Sequence, residues 1–245
     1  MDTFDKNIHL TVGTHTGPRR EFLKNGIILS TITGVAGLNL LKGCKEETGE
    51  DISPSEDLMR EHGLLNRILL IYDTCKLHLI NVEPFPLDAL LNSALIIRSF
   101  IEEYHEKLEE DFLFPRFIKA NHLVDLVKVL KYQHNAGRNI TEQIINFGKM
   151  PDLIDMGDKQ KLIKLLDDFD RMYRPHEARE DTVLFPEVRK IISRNEYFAL
   201  GEDFEKKEHE LFGENGFETM VEKVADIEKQ LEIYELTKFT PDLNA

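Results

Sequence analysis

His105-Glu106-Lys107-Leu108-Glu109-Glu110-Asp111-Phe112-Leu113-Phe114-Pro115 aligns without a gap with His176-Glu177-Ala178-Arg179-Glu180-Asp181-Thr182-Val183-Leu184-Phe185-Pro186, at an offset of 71 residues. The two stretches share His, Glu, Glu, Leu, Phe and Pro at matching places. Upstream, His62 and His134 stand 72 apart, each followed within six residues by an arginine (Arg67, Arg138) and an isoleucine (Ile68, Ile140). The body of the chain is therefore a duplicated helical hairpin. Positions i and i+4 of a helix project the same way, so His105 with Glu109, and His176 with Glu180, can each reach one point in space.

Around this repeat the sequence reads as helices, and the fold class is all-α. Ser53-Pro54-Ser55-Glu56 supplies an N-cap, a proline at the first helical position and the glutamate of a capping box. The helix that follows runs to about Ile80, with Leu58, His62, Leu65, Leu69, Tyr72 and Leu79 on its inward stripe. After the proline-rich turn from Val82 to Pro86, a second helix from about Leu87 to Lys119 turns Ala94, Ile101, His105, Leu108, Glu109 and Phe112 inward. A third, from about Leu123 to Phe147, carries Val127, Leu130, His134, Thr141 and Ile144. The fourth, from about Lys159 to Ser193, carries Leu162, Leu166, Phe169, Tyr173, His176, Glu180 and Val183, with Pro175 expected to kink or break it. Two shorter helices, from about Glu196 to Phe212 and from Glu218 to Tyr234, flank the Gly213-Glu214-Asn215-Gly216 turn.

Four such helices would bring His62, His105, His134 and His176 together with Glu109 and Glu180. A buried cluster of this kind is costly unless something compensates it, at several kcal/mol for each unpaired polar group. A cation would compensate. Mixed imidazole and carboxylate ligands with open positions suit iron or manganese, whereas zinc is usually satisfied by four ligands at one centre. Six ligands exceed what one ion with an open position needs. Two ions bridged by Glu109 and Glu180, each with two histidines, would use them all, although the spacing leaves the pairing of the histidines open.

Composition bounds the alternatives. The chain has 245 residues, 41% hydrophobic and 31% charged, enough for a sizeable buried core. Its formal charge of −14 opposes binding to nucleic acid or anionic membrane surfaces. Two cysteines, Cys44 and Cys75, make neither a disulfide framework nor a four-cysteine zinc site. Cys75 reads as a small buried hydrophobe, or, if exposed, as a thiol able to pair chains.

The first 44 residues read as an address label. Pro18-Arg19-Arg20-Glu21-Phe22-Leu23-Lys24 and the apolar run from Gly26 to Leu41 resemble a twin-arginine export signal; the run, 16 residues long, is short for a membrane span. Leu40-Leu41-Lys42-Gly43-Cys44 resembles a lipoprotein box, with Lys42 where that pattern has a small or apolar residue. Cys44 is thus either a lipid-bearing N-terminus or an ordinary flanking residue. Residues 45–54 form a charged linker, 55–194 the bundle and 195–245 a helical extension. The expected location is outside the cytoplasmic membrane, free in the periplasm or anchored through Cys44.

From about residue 55 to 190 the sequence resembles the hemerythrin-like, or His-His-Glu cation-binding, domains. The resemblance rests on the helical histidine after Glu61, the two His-x3-Glu copies, and a Leu-Phe-Pro that begins eight residues after each copy's histidine. It implies an up-down four-helix bundle, here with two additional C-terminal helices, around a non-haem centre of two iron ions with an oxo or hydroxo bridge. The ligand roles would fall on His62, His105, Glu109, His134, His176 and Glu180. Oxygen-carrying hemerythrins have a fifth histidine where Arg138 stands, which speaks against reversible O2 carriage. They also take an aspartate where Asp181 stands; the internal repeat favours Glu180, with Asp181 as the alternative. Ferritin-like di-iron bundles need two Glu-x-x-His motifs, and only Glu102 with His105 fits on these helices.

Other residues have plainer readings. Glu106 and Glu177 point about 100° away from the ligand histidines, which suits helix solubility or an outer hydrogen bond. His78 and His122 read as surface residues. Tyr173 is core, with a hydroxyl near the site. His209, four residues after Glu205, is either a further ligand or a partly buried helix contact. The resemblance implies an exported protein that binds or senses O2 or another small diatomic or peroxide. The alternatives are a di-iron enzyme reducing nitric oxide or peroxide, or an iron donor in iron-sulfur cluster repair. A sensor would need a separate partner protein, for which the C-terminal helices offer a surface.

Overall fold

The computed structural model describes residues 52–84, 87–151 and 155–242. The export-signal stretch, Cys44, most of the linker, and Phe85 and Pro86 of the proline-rich turn lie outside the described residues. Helix α1 spans Pro54–Asn81, α2 spans 87–119, α3 spans Val124–Gly148 and α4 spans 156–191; α5 (Arg194–Phe212) and α6 (Gly216–Gln230) follow. No strand occurs among the described residues.

Local chemistry sets the ends. Ser53 Oγ accepts from the Glu56 amide at 3.4 Å while Glu56 Oε2 accepts from the Ser53 amide at 3.0 Å, closing the expected capping box. Asp155 caps α4 and Ser193 caps α5 in the same way. Pro175 does not break α4, which runs helical from Met156 to Arg179. Pro175 and Arg171, whose carbonyl would otherwise accept its bond, are both exposed, so water can satisfy the orphaned oxygen.

Inside α2 and α4 the helix widens where the repeat would have predicted regular turns. Glu109–Leu113 and Glu180–Leu184 are π-helical, as is Ile97–His105. In both copies the widened stretch directly precedes the shared Phe-Pro, whose ring lacks an N–H and clashes with the carbonyl four residues back. The extra residue per turn shifts the inward stripe by one. Leu113 and Leu184 are fully buried, and Phe112 and Val183, expected there, are only half-buried.

Helix α1 packs on α2 and α4, and α3 packs on α2 and α4. The extension lies on one side of this bundle, with α5 against α1 and α6 against α1 and α2. Phe212 stacks obliquely on Phe100 at 5.4 Å and edge-on to Tyr104 at 5.5 Å, and Phe204 meets Phe112 at 5.8 Å. Of these rings Phe100, Tyr104 and Phe204 are fully buried, each contributing about 1.5–3 kcal/mol. Arg67 clasps Glu228 of α6 through Nε at 2.9 Å, and the Arg60 guanidinium lies 4.3 Å above the Phe217 ring.

Candidate metal centre

His62, His105, His134 and His176 meet Glu109 and Glu180 in the bundle interior, all six at most 4% exposed. Among the described residues, potential ligand atoms within 4.8 Å of one another form three groups: His62 with His105 and Glu109, His134 with His176 and Glu180, and, outside the six, Glu106 and Glu110 with His134. The carboxylates also reach across. Glu180 Oε2 is 3.1 Å from His176 Nε2 and 3.4 Å from His62 Nε2; Glu109 Oε2 is 3.4 Å from His134 Nε2 and 3.8 Å from His105 Nε2. Each glutamate thus stands between histidines of the first two groups, the placement a bridging carboxylate requires.

The groups converge without satisfying one another. Both oxygens of Glu109, both of Glu180 and the Nε2 of His134 are buried with no hydrogen-bond partner. Left so, they carry a desolvation cost of about 1–3 kcal/mol each, more when charged. Metal–nitrogen and metal–oxygen bonds of about 2.1 Å place neighbouring ligand atoms about 3 Å apart, close to the shorter separations seen here. The donor set fits bound metal.

Each imidazole turns its other nitrogen outward to a fixed acceptor. His62 Nδ1 meets Asp181 Oδ1 at 2.7 Å, His105 Nδ1 meets Glu61 Oε2 at 2.7 Å, His134 Nδ1 meets Glu110 Oε1 at 3.1 Å, and His176 Nδ1 meets Gln133 Oε1 at 3.0 Å. Such partners fix the tautomer and raise ligand basicity, leaving Nε2 free to face inward. Asp181, the alternative to Glu180 as a ligand, is taken up by this outer ring, and Glu180 is the side chain that enters the cluster. The ring follows the repeat: Glu61 and Gln133 are one residue before His62 and His134, and Glu110 and Asp181 are five after His105 and His176. That regularity was the signal available for residues to which spacing alone assigned no role.

Charge in the cluster is unevenly held. Burial opposes protonation of His62, but Asp181 and Glu180 outweigh it and push its pKa up to about 10. Burial and the nearby His62 hold His105 well below the ordinary histidine range, and burial lowers His134. Burial and the Glu180 charge push Glu109 well up; for Glu180 burial is outweighed by His176 and His62, which hold it well down. The metal-free cluster thus keeps protons where cations would bring charge, and cation binding would displace them.

Of the two readings for Glu106 and Glu177, the outer hydrogen bond holds and helix solubility does not, since they are 1% and 3% exposed. Glu106 accepts from Tyr173 Oη at 2.7 Å and pairs with Arg138 at 2.7 Å, while Glu177 accepts from Asn66 Nδ2. Burial raises both to about 8. A step of 100° from an inward histidine lands at the seam with the neighbouring helix, not in solvent. Arg138 also pairs with Glu110 at 2.8 Å, filling the space beside His134. Glu102 turns away to Arg98 at 3.1 Å. His209 and Glu205 are both exposed on α5, remote in role from the cluster, because that helix buries Tyr197, Leu200, Phe204 and Glu208 instead. His122 pairs with Glu187 at 2.8 Å, and Cys75 is fully buried, which rules out pairing of chains through it in the folded state.

Comparison with known proteins accords with this geometry. The chain is 42% identical over 247 residues to Uncharacterized protein Mb2018 of Mycobacterium bovis, and equally to Uncharacterized protein Rv1995 of Mycobacterium tuberculosis strain H37Rv, with 95% of this chain and 96% of each relative covered. No solved structure matches it. The family described as Hemerythrin HHE cation binding domain matches residues 53–188, the stretch that carries all six converging side chains. The chain belongs to the hemerythrin HHE cation binding domain family.

Proposed function

We propose that the protein is a non-haem di-iron protein whose centre binds or senses O2, nitric oxide or a peroxide. The observation that carries this is the set of partnerless buried atoms on Glu109, Glu180 and His134, ringed by four histidines whose outer nitrogens are already held. His62 and His105 would hold one ion, His134 and His176 the other, and Glu109 and Glu180 would bridge them. Bound iron supplies electrons and open positions to a small oxidant or gas; the chain supplies fixed imidazoles, bridging carboxylates and a dry surround. The cyclic packing of α1 to α4 with short connections supports an up-down four-helix arrangement.

Export is part of the proposal. The Arg19-Arg20 signal supports a route that carries folded proteins, so the centre would be filled before transit, and Cys44 offers a lipid anchor. No described helix is long and apolar enough to cross a membrane. The test is anaerobic loading with Fe(II) followed by absorption spectroscopy on adding and removing O2. A reversible spectral change at constant iron content supports binding or sensing. Sustained consumption of nitric oxide or peroxide with a reductant would replace it with the enzyme alternative.

A further inference from the structure

Tyr173 stands three residues before His176, and the internal repeat breaks there, since the position three before His105 holds Glu102. The Tyr173 ring is 1% exposed and meets the His176 imidazole near edge-on, with 5.6 Å between centroids. Its hydroxyl donates to Glu106 Oε1 at 2.7 Å, and Arg138 holds the other oxygen of that carboxylate at 2.7 Å. A phenylalanine would fill the core as well. The hydroxyl is instead accommodated at a cost to α3, where Gly137 is required because a Cβ would collide with it, and a glycine weakens a helix interior.

What the arrangement offers is a destination for a proton. Taking an electron from a buried phenol and leaving its proton behind would strand a cation in a low-dielectric interior, a far greater cost than at the surface. A carboxylate already on the O–H and anchored by a guanidinium can take that proton across one short hydrogen bond, leaving no charge on the ring. Tyr72 lacks this provision. Its ring continues the aromatic column, Phe169 lying 4.3 Å from Tyr173 and 5.3 Å from Tyr72, but its buried hydroxyl has no hydrogen-bond partner.

We propose that Tyr173 is a redox-active side chain, giving one electron to the metal centre across the His176 ring and its proton to Glu106 when the centre meets a peroxide. This rests on the iron centre proposed above. With hydrogen peroxide as the oxidant the step balances: the O–O bond breaks to two hydroxide ions, one electron coming from ferrous iron and one from Tyr173. The phenolic O–H bond breaks, and Glu106 becomes a neutral carboxylic acid beside a neutral phenoxyl radical.

The test uses the full chain loaded anaerobically with Fe(II), its iron content measured first, then mixed with hydrogen peroxide and rapidly frozen for EPR. The wild type is expected to show an organic-radical signal whose hyperfine splitting collapses when the protein is grown on ring-deuterated tyrosine. Tyr173→Phe, which removes only the hydroxyl, is expected to lose that signal at unchanged iron content, and Tyr72→Phe to keep it. Glu106→Gln can still accept the hydrogen bond through its amide oxygen but cannot take the proton, and is expected to lose most of the signal. A wild type that binds iron yet gives no tyrosine radical, or a signal that survives in Tyr173→Phe or vanishes in Tyr72→Phe, would overturn the proposal while leaving the centre standing. Full radical yield in Glu106→Gln would overturn it by sending the proton elsewhere. A chain that takes up no iron at the first step would overturn the centre and this inference with it.

Discussion

Glu61 stands one residue before His62 yet holds the other histidine of its hairpin, its Oε2 2.7 Å from His105 Nδ1 with both side chains buried. Adjacent helical residues diverge by about 100°, so His62 can face the cluster while Glu61 faces α2. Burial, with Asp57 and Glu208 close by, pushes the Glu61 pKa well up, and the contact to His105 is its means of staying useful inside. Glu61→Ala is expected to lower iron affinity by about 10–100-fold in chelator competition, with Glu61→Gln retaining most of it. Equal affinity in Glu61→Ala would show that His105 needs no outer acceptor.

Gly137 lets α3 and α4 approach. A Cβ there would lie 2.0 Å from Tyr173 Oη and 2.8 Å from Cζ, and Tyr173 is fixed by its bond to Glu106. Gly137→Ala is expected to cost about 1–3 kcal/mol in urea unfolding. The double variant with Tyr173→Phe, which removes the nearest atom, is expected to lose less than the sum of the single changes.

These contacts mark what the sequence made legible and what it hid. The helices, the six converging residues and the capping box at Ser53 followed from periodicity, capping chemistry and a gapless internal repeat. The widened turns before Pro115 and Pro186 did not, because a 3.6-residue period cannot register an extra residue; Leu113 and Leu184 therefore took the places expected for Phe112 and Val183. Glu106 and Glu177, which the sequence left between helix solubility and an outer hydrogen bond, take the second, and spacing alone could not choose. A carboxylate at the edge of an inward face is buried or free depending on which neighbour meets it, and Arg138, Tyr173 and Asn66 come from other helices.

Asp170 gives the metal-free protein a pH dependence. It is 3% exposed and faces Asp73, Lys76, Arg174 and Tyr72; burial first, then the Asp73 carboxylate, push its pKa from 3.8 up to about 7 despite the two cations. A carboxyl whose folded pKa exceeds its unfolded value contributes stability that is whole below the unfolded pKa and is lost as pH rises through the folded one. Asp170→Asn is thus expected to flatten the fall in stability between pH 4 and 7 and to gain on the order of 1 kcal/mol at pH 8. A steeper fall in the variant would show that Lys76 dominates.

Cys75 is wholly enclosed, and burial pushes its thiol up to about 12. In a Cys44→Ala background, a thiol reagent at pH 8 is expected to label Cys75 on the order of a thousandfold more slowly than an exposed thiol, with full labelling in denaturant. Rapid labelling of the folded chain would mean that α1 opens locally.

The central claim is that Glu109 and Glu180 bridge two ions among four histidines. Its most direct test is iron per chain, measured after anaerobic loading and removal of loosely held metal, for the wild type, Glu109→Ala and Glu180→Ala. Two irons per wild-type chain and a loss of both in either variant are expected, because a bridging carboxylate serves both ions. A wild-type chain that holds no iron, or variants that each keep two, would contradict the claim.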